Sequence, residues 1–537
     1  MKNIYHSLLM VLVVAFAFVA CDTEDDLVQQ RNDDNPIIPE PPLSGTPGNA
    51  DFSKYIAIGN SITAGYMDGA LYNDGQAHAF PNLLATQFRI TGLDGGEFNQ
   101  PDINSVLGFN TILTNPDPET GAILGRFELD LSIPGPVPAI ASVADANALF
   151  TPYSGPPVNN FGAPGIQLGQ LLTPATGGPD SDANPAYNPY YFRFASEPST
   201  DGMNGSTIIA DAIAAQPTFF TLWIGNNDLL GYALSGATNE TIFTSAANFD
   251  LQYNTAMDLL LTNTEAKGVI VNIPPILALP VFRAVPYNPV PLDETTAATL
   301  NAAFTGFNDA LNGLVSISQI TANEANRRRV TYAAGNNPLL IFDEDLEDLG
   351  DKFDMLLMAG AINAGERAAL QPFVQARPAT SDDLVILTAS TEIGRDLNPS
   401  MPDTFLNGIS VPFGDEYILT LEEQSAINDR FLSFNTTIAN AAIANSDRVA
   451  LYNTNTPDGL FLDIFGASDG IIGAEIDGFN YQPDFTPNGV FSTDAVHPNP
   501  KGHAIIANEI IAVINASFGA NVPKIDIVPF RTVLAAQ

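Results

Sequence analysis

The chain has 537 residues, 45% of them hydrophobic, so it is long enough to bury a substantial core and is not a disordered tail. It carries 60 acidic and 20 basic residues, and the resulting formal charge of −40 would repel nucleic acid and anionic lipid headgroups, so no nucleic-acid partner is expected. The single cysteine excludes an internal disulfide.

The N-terminal segment has the features of a secretory signal. Residues 8–19 form an apolar run that is too short for a convincing membrane span. The segment ends in Phe18-Val19-Ala20-Cys21, which resembles the lipobox of bacterial lipoproteins. This resemblance implies that residues 1–20 are a lipoprotein signal peptide and that Cys21 is the lipidated first residue of the mature chain. An ordinary secretory signal with an incidental cysteine is the alternative.

The next segment, residues 21–50, shows no hydrophobic periodicity. It begins with an acidic run at residues 22–26 and is rich in proline between residues 36 and 48, a composition typical of a tether. In lipoproteins of the Bacteroidetes type, an acidic run directly after the cysteine accompanies export to the cell surface. The similarity implies an outer-membrane lipoprotein at the cell surface, held to the membrane by its lipid anchor. An inner-membrane or periplasm-facing location is the alternative.

From residue 51 onward, short apolar runs alternate with helical patterns, which is typical of a parallel sheet with helices on both faces. We therefore predict an α/β fold, a three-layer αβα sandwich. The predicted strands lie at residues 55–58, 157–161, 217–225, 268–273 and 448–452. Residues 66–158 are rich in Gly, Pro, Asn and Asp, and we predict that they form loops on the side of the sheet to which the first strand leads.

The segment between the last two predicted strands is longer than a crossover needs. A capping box at Thr420 and Glu423 predicts the start of a helix that leads directly into the last strand, so we predict that this helix makes the crossover. Residues from about 280 to 415 are then predicted to be an insertion. One amphipathic helix within it is predicted from apolar residues at helical spacing, namely Leu300, Phe304, Phe307, Leu311 and Leu314.

Two further features of the insertion are interpreted from composition. Residues 384–387 are apolar and are predicted to form a strand. Residues 343–348 are acidic, and we interpret them as a solvated helix face, because they lack the alternating ligands and the glycine of a calcium loop. After the insertion and the last strand, Asn499 and Pro500 predict the start of a final helix over residues 501–518. The folded domain is thus predicted to span residues 51–519, and residues 520–537 form an unassigned C-terminal tail.

The candidate nucleophile is Ser61, which follows the first predicted strand and Gly59. A serine hydroxyl needs a histidine to accept its proton and a third group to hold that histidine. Among the four histidines, His6 lies in the signal peptide, and only His497 has a carboxylate, Asp494, three residues before it. His78 is interpreted as a loop residue and His503 as a local packing residue of the final helix.

These residues belong to four sequence blocks that resemble the SGNH or GDSL hydrolases, which are serine esterases with a flavodoxin-like sheet. The family's Gly-Asp-Ser-Leu turn, glycine turn, Gly-x-Asn-Asp block and Asp-x-x-His block have counterparts in the same order. They are Gly59-Asn60-Ser61-Ile62, Asn160-Phe161-Gly162-Ala163-Pro164-Gly165, Gly225-Asn226-Asn227-Asp228 and Asp494-Ala495-Val496-His497.

The resemblance implies an SGNH hydrolase fold with a large insertion and an acyl-enzyme mechanism. It implies Ser61 as nucleophile, His497 as base and Asp494 as the acid that orients it. The backbone N–H groups of Ser61 and Gly165 and the side chain of Asn227 would form the oxyanion hole. The implied substrate is a small-molecule ester, either a lipid or an acylated carbohydrate, and no cofactor or metal is expected.

The first block departs from the family pattern at one position. The family's aspartate before the serine is Asn60 here, which keeps a hydrogen-bond acceptor but loses a charge. Because that aspartate lies outside the triad, the change bears on the rigidity of the turn and on the rate rather than on the mechanism.

Three other interpretations of the sequence are less favoured. Gly466-Ala467-Ser468-Asp469-Gly470 fits the elbow of another hydrolase fold, but the chain between Ser468 and Asp494 is too short for the strand and helix units which that fold requires. A non-catalytic SGNH-fold lipoprotein that binds glycan or lipid is the alternative from a different functional class. A metal hydrolase is least expected, because the histidines show no ligand spacing.

Overall fold

The computed structural model of the protein describes residues 42–132, 135–401, 404–457, 459–465 and 473–536. The predicted signal peptide, Cys21 and most of the predicted tether lie outside these residues, and so does Ser468. Within the described ranges, no helix combines the length and the apolar character needed to cross a membrane.

A five-stranded parallel sheet forms the centre of the fold. Its strands in chain order are β1 (Tyr55–Gly59), β2 (Asn160–Gly162), β3 (Phe219–Trp223), β4 (Lys267–Val271) and β5 (Val449–Tyr452). They lie side by side in the order β5-β4-β3-β1-β2, and every neighbouring pair is parallel. The predicted α/β class is confirmed. Strand order reverses between β1 and β3, and sheets of this kind bind ligands beyond the carboxyl ends of the strands at such a point.

Helices cover both faces of this sheet. In chain order the α-helices are α1 (Ser61–Ala64), α2 (Asn73–Ala77), α3 (Phe80–Phe88), α4 (Pro189–Phe192), α5 (Ile208–Ala214), α6 (Asn227–Leu234), α7 (Ala246–Asn263), α8 (Glu294–Ala303), α9 (Thr305–Ser316), α10 (Ala322–Arg328), α11 (Gly350–Met358), α12 (Ala364–Leu370), α13 (Leu421–Ala444), α14 (Leu460–Phe465) and α15 (Pro500–Phe518).

Alternate residues of β1 enter two different hydrophobic clusters. Ile56 and Ile58 pack with α5, α7 and α13 on one face of the sheet, whereas Tyr55 and Ala57 pack with α3, α14 and α15 on the other. Because both faces are buried, the strand reads as a continuous apolar run. The layers are therefore helix, sheet and helix, as predicted. The predicted capping box of α13 is also present, with Thr420 and Glu423 as its partners.

Residues 66–158 are not only loops, and that prediction is wrong. They contain α2, α3 and an antiparallel hairpin formed by Ile123–Asp130 and Gly135–Ala141. Helix α3 buries Phe80, Leu84 and Phe88 against the sheet. An element this short is stabilised mainly by tertiary packing, so its own periodicity is too weak to stand out among the surrounding turn residues.

Most of the predicted insertion builds its own hydrophobic cluster from helices α8 to α12. Small antiparallel strand pairs complete it, namely Val290–Leu292 with Gly335–Asn337, Leu340–Phe342 with Ala376–Pro378, and Leu384–Val385 with Ile418–Leu419. The strand predicted at residues 384–387 is therefore present but shorter. This separate core explains how the chain carries so many residues between β4 and β5.

Two predictions about the insertion are wrong. The single helix predicted from Leu300 to Leu314 is broken at Phe304 (φ −83°, ψ 0°), where α8 ends and α9 begins. Apolar spacing continues across the break, so periodicity alone does not show it. Residues 343–348 do not form a helix, and Asp343 is not solvated. It is fully buried and forms ion pairs with Arg377 and Arg327.

The C-terminal tail, unassigned from sequence, packs along the domain. Val522 and Ile527 join the hydrophobic cluster of α15, and Arg531 forms an ion pair with Asp74 at 2.6 Å. Further on, the carbonyl of Leu534 accepts a hydrogen bond from the hairpin at 2.7 Å. The tail thus ties the last helix to the segment that follows Ser61.

Candidate active site

Ser61 lies directly beyond β1, at the carboxyl edge of the sheet. It is the first residue of α1, and the side chain of Asn60 before it accepts a hydrogen bond from the Ile62 N–H at 3.3 Å. The backbone is crowded here, since a Cβ atom on Gly59 would lie 2.4 Å from the carbonyl oxygen of Trp223. Glycine is therefore required where β1 ends beside β3 and the chain turns to Ser61.

His497 lies within hydrogen-bond distance of both Ser61 and Asp494. Its Nε2 is 2.8 Å from Ser61 Oγ, and its Nδ1 is 2.9 Å from Asp494 Oδ2. Ser61 and Asp494 are both buried, and the Tyr66 ring packs 4.9 Å from the imidazole, measured between ring centroids. The structure thus brings together three residues that are far apart in the sequence, in the arrangement that a nucleophile, its base and an orienting acid require.

Backbone groups fix the carboxylate of Asp494. Its Oδ1 accepts hydrogen bonds from the N–H groups of Val496 at 3.0 Å and His497 at 2.9 Å, and its Oδ2 accepts a third from Gly69 at 3.1 Å. Together with the imidazole, these donors occupy both oxygens of the carboxylate. Its orientation is therefore set by the loop before any substrate is present.

The electrostatics of the site favour an ionised Asp494. Burial raises its pKa, but the charge of His497, the hydrogen bond from its ring and the backbone hydrogen bonds outweigh burial and bring the pKa to about 2. An ionised carboxylate holds the proton of a neutral imidazole on Nδ1. The unprotonated Nε2 of His497 then faces the hydroxyl of Ser61, from which it can accept a proton.

Sequence reasoning missed Asp68, which supports the loop that carries Asp494 and His497. Its Oδ1 accepts hydrogen bonds from the N–H of Thr493 at 2.9 Å and from its hydroxyl at 2.7 Å, and its Oδ2 accepts one from Tyr72 at 2.6 Å. Asp68 is fully buried, and burial raises its pKa. Its only signal in the sequence is a lone aspartate in a glycine-rich stretch, which is more often a turn residue.

The three loops beyond β1, β2 and β3 leave the sheet at the same level. Gly59 is in register with Gly162 of β2 and with Trp223 of β3. Asn227 begins α6, and its Nδ2 donates to the carbonyl of Ile166 at 2.8 Å. This contact connects Asn227 to the glycine turn of the second block, because Ile166 follows it directly.

Asp228 makes a second connection between the same loops. Its Oδ2 accepts a hydrogen bond from the Leu168 N–H at 2.8 Å, and its Oδ1 accepts one from the Thr244 hydroxyl at 2.7 Å. Burial raises the pKa of this carboxyl to about 6. The loop that follows β2 is therefore anchored on α6 by two adjacent side chains.

A small cleft of about 40 Å³ lies over Ser61. Asn227 and His497 line it together with Ser61, whereas Gly165 is not among the lining residues. Gly165 has a left-handed backbone (φ +81°), and its N–H, like that of Ser61, donates to no acceptor among the residues that the structure describes. Both N–H groups are therefore available to a ligand.

Two buried amides beside the nucleophile keep one unpaired atom each. Asn60 and Asn226 both line the cleft, and within the described ranges neither Asn60 Nδ2 nor Asn226 Oδ1 has a hydrogen-bond partner. Asn60 thus keeps a hydrogen-bond acceptor, as predicted, and the structure shows that this acceptor caps α1, while its amide donor has no partner among the described residues. Buried polar atoms without a protein partner are positions where a water or a ligand binds.

The other two histidines of the folded domain have different surroundings. His78 lies in the short turn between α2 and α3, in agreement with its interpretation as a loop residue, and its Nδ1 pairs with the Asp74 carboxylate at 3.1 Å. His503 is fully buried in α15, where its Nδ1 accepts a hydrogen bond from the Phe80 N–H at 3.2 Å. Neither residue lines the cleft over Ser61.

We expect His503 to make the protein less stable in acid. Burial, followed by the charges of His497 and His78, lowers its pKa from 6.5 to about 3. Below pH 6.5 the unfolded chain binds a proton that the native chain does not, so the free energy of unfolding falls as the pH drops towards 3. His503→Gln should reduce the slope of the free energy of unfolding against pH, by at most about 1.4 kcal/mol per pH unit.

Urea unfolding at pH 7 and pH 5 measures this effect. His78→Gln is the control with the opposite sign, because the hydrogen bond from His78 to Asp74 raises the pKa of that histidine. A raised pKa adds stability that is present below pH 6.5 and is lost as the pH rises. His78→Gln removes this contribution, so its free energy of unfolding should fall more steeply in acid than that of the wild type. An unchanged pH dependence in His503→Gln would contradict the assignment of a neutral buried imidazole.

Comparisons with models of protein families, with curated proteins and with solved structures found no match to this chain.

Proposed function

We propose that this protein is a serine-dependent carboxylic ester hydrolase of the SGNH or GDSL type. The observation that carries the proposal is the hydrogen-bonded chain from Ser61 through His497 to Asp494 at the carboxyl edge of a parallel sheet. A serine hydroxyl becomes an effective nucleophile when a histidine accepts its proton and a carboxylate holds that histidine. The four sequence blocks around these residues and around Gly165 and Asn227 support the same family.

The proposed reaction is a two-step acyl transfer. Ser61 Oγ attacks the ester carbonyl carbon while His497 Nε2 accepts the hydroxyl proton. The bond between that carbon and the alcohol oxygen then breaks, and His497 gives the proton to the departing alcohol. Water attacks the resulting acyl-enzyme, His497 accepts a proton from the water and returns one to Ser61, and the carboxylic acid is released. Asp494 stays ionised throughout and stabilises the imidazolium.

Negative charge develops on the carbonyl oxygen in both steps. In the proposed mechanism it is met by the backbone N–H groups of Ser61 and Gly165 and by the side-chain amide of Asn227. Donors that are already oriented cost no reorganisation when the charge appears, which makes them effective. The unused N–H groups of Ser61 and Gly165 and the hydrogen bond that holds Asn227 support this part of the proposal.

The remaining parts of the proposal concern substrate and location. A cleft of about 40 Å³ holds little more than one small group, so a short-chain ester is the substrate of choice for assays. The substrate class is a lipid or an acylated carbohydrate. The lipobox-like sequence at Cys21 and the acidic run after it support a lipoprotein anchored in the outer membrane at the cell surface.

Labelling with a fluorophosphonate tests the proposed function without knowledge of the substrate. The reagent reacts with a serine that has a working base and an oxyanion site. We expect peptide mapping to place the adduct on Ser61. The adduct should be absent in Ser61→Ala and in His497→Ala, and it should persist in Ser468→Ala.

Two results would contradict this assignment. An adduct on Ser468 would mean that the assignment of Ser61 as the nucleophile is wrong. A folded wild-type protein that takes no label would favour the alternative of a non-catalytic lipoprotein that binds glycan or lipid. Labelling of Asn60→Asp would then show whether asparagine at this turn position, whose amide donor has no partner in the described part of the chain, prevents the reaction of Ser61.

A further inference from the structure

Three carboxylates converge where the insertion meets the crossover helix. Glu344 and Asp415 belong to the insertion, and Glu423 lies in the first turn of α13. One oxygen of each side chain lies within 4.8 Å of the corresponding oxygens of the other two. Oxygens that share one Ca²⁺ ion, each at ~2.3–2.6 Å, lie no more than ~5 Å apart, so three oxygens within this limit can hold a common cation.

Two oxygens of this cluster are buried and unpaired. Glu423 is 7% exposed, and its Oε2 accepts hydrogen bonds from the N–H and the hydroxyl of Thr420 at 2.6 and 2.9 Å. Its other oxygen, Oε1, and Asp415 Oδ1 are buried and accept no hydrogen bond from a donor group in the described part of the chain. Both side chains instead come within hydrogen-bond reach of the Glu344 carboxylate, a second acceptor, so a proton or a cation has to lie between them. An anionic oxygen in that state is costly unless a ligand satisfies it.

No cationic side chain in the described ranges compensates the charge of the cluster. Among the residues that the structure describes, no lysine, arginine or histidine forms an ion pair with Glu344, Asp415 or Glu423. By contrast, the nearby Asp343 has two arginine partners. Burial, together with the close contact with the Glu344 carboxylate and its negative charge, raises the pKa of both Asp415 and Glu423.

We propose that Glu344, Asp415 and Glu423 form a calcium site that fastens the insertion to α13. A donor set of carboxylate oxygens alone selects a hard cation, and a site with one exposed ligand, Glu344, leaves room for the water molecules that complete the six to eight oxygens of Ca²⁺. Mg²⁺ demands a stricter octahedral geometry, which three side chains from separate segments are less suited to provide.

The position of the site predicts what the ion does. The backbone of Asp415 and Glu416 packs directly on Gly236 (φ +61°), where an added Cβ atom would lie 2.3 Å from the Asp415 carbonyl oxygen. Gly236 lies just beyond the end of α6, the helix that begins at Asn227. The ion would therefore join three segments, namely the insertion, the start of α13 and, through packing, the turn after α6. Its expected effect is on the stability of this junction.

Calorimetry and thermal unfolding of the full chain test the proposal. Protein treated with EDTA and then freed of it should bind one Ca²⁺ per chain in 150 mM NaCl, with a Kd on the order of 10⁻⁵–10⁻³ M. Saturating Ca²⁺ should raise Tm by about 2–6 °C. Glu423→Gln and Asp415→Asn should each weaken binding at least tenfold and abolish the shift in Tm. Glutamine still serves in a capping box, so Glu423→Gln is expected to fold.

Glu422→Gln is the matched control, because it removes the same charge from an exposed residue in the same turn of α13. It should bind Ca²⁺ within about threefold of wild type. Equal loss of binding in Glu422→Gln and Glu423→Gln would mean non-specific attraction by the acidic surface and would overturn the site. Absence of Ca²⁺ binding to the wild type would also overturn it, and binding of Mg²⁺ alone would overturn the choice of ion. None of these outcomes depends on whether Ser61 is a nucleophile.

Discussion

Replacing Asp494 by asparagine should lower kcat for a short-chain ester by about 10⁴-fold while leaving Ser61 and His497 in place. The expected loss follows from the hydrogen bonds that surround this side chain. Its Oδ1 accepts from two backbone N–H groups of its own loop, and these contacts would hold the amide oxygen of the variant in the same position. The amide nitrogen would then take the place of Oδ2.

That nitrogen is a donor where the native structure has an acceptor. It would face the N–H of Gly69, a second donor, and the Nδ1 of His497. His497 could accept from the amide only with its proton moved to Nε2. In this tautomer Nε2–H points at Ser61 Oγ and cannot accept the hydroxyl proton. Ser61 is then inactive because the imidazole proton lies on Nε2 instead of Nδ1, although all three side chains are still present.

Steady-state kinetics of p-nitrophenyl acetate hydrolysis, with Tm measured alongside, checks this prediction. Asp74→Asn is the matched control, because Asp74 pairs with the other histidine near the surface, His78. It should keep kcat within about threefold of wild type. If instead Asp74→Asn lost activity and Asp494→Asn kept it, His78 would be the base and the assignment of His497 would be wrong.

The parts of this fold that could be predicted from sequence are those in which local pattern and burial coincide. Strands β1 and β3 are buried on both faces, so their sequences are almost entirely apolar, and a glycine ends β1 and follows β3 by two residues. The pair of Asp494 and His497 was also recognisable, because its three-residue spacing lets one carboxylate reach both the backbone and the ring of the same histidine.

Features that depend on distant contacts were not predictable in this way. Asp68 accepts a hydrogen bond from Thr493, which lies more than four hundred residues further along the chain. No residue close to Asp68 in the sequence indicates that contact. Asp343 looked solvated beside other acidic residues, but it is buried because Arg377 and Arg327 come from other segments to pair with it. In both cases the sequence specifies the charged group, while its partner is supplied by tertiary structure.

The second large effect is expected for Asn227→Ala, which should lower kcat by ~10²–10³, roughly 2.7–4 kcal/mol, with little change in KM. The amide of Asn227 has two N–H groups, and one of them already donates to the Ile166 carbonyl at 2.8 Å. That bond holds the amide plane, so the second N–H needs no reorientation to meet a developing oxyanion in the cleft that Asn227 shares with Ser61. Because this charge appears in the transition state, its loss affects kcat more than binding.

The same substitution should slow fluorophosphonate labelling of Ser61 in parallel with kcat, since attack on phosphorus also develops negative charge on oxygen. Asn239→Ala provides the control, because Asn239 is an exposed asparagine whose side chain caps a short 3₁₀ turn through the Thr241 N–H at 3.2 Å. An asparagine that only shapes a turn should cost almost nothing in rate. If Asn227→Ala matched Asn239→Ala, with kcat within about threefold of wild type, Asn227 would be a turn residue that merely anchors Ile166, and the oxyanion would have to rely on backbone N–H groups alone.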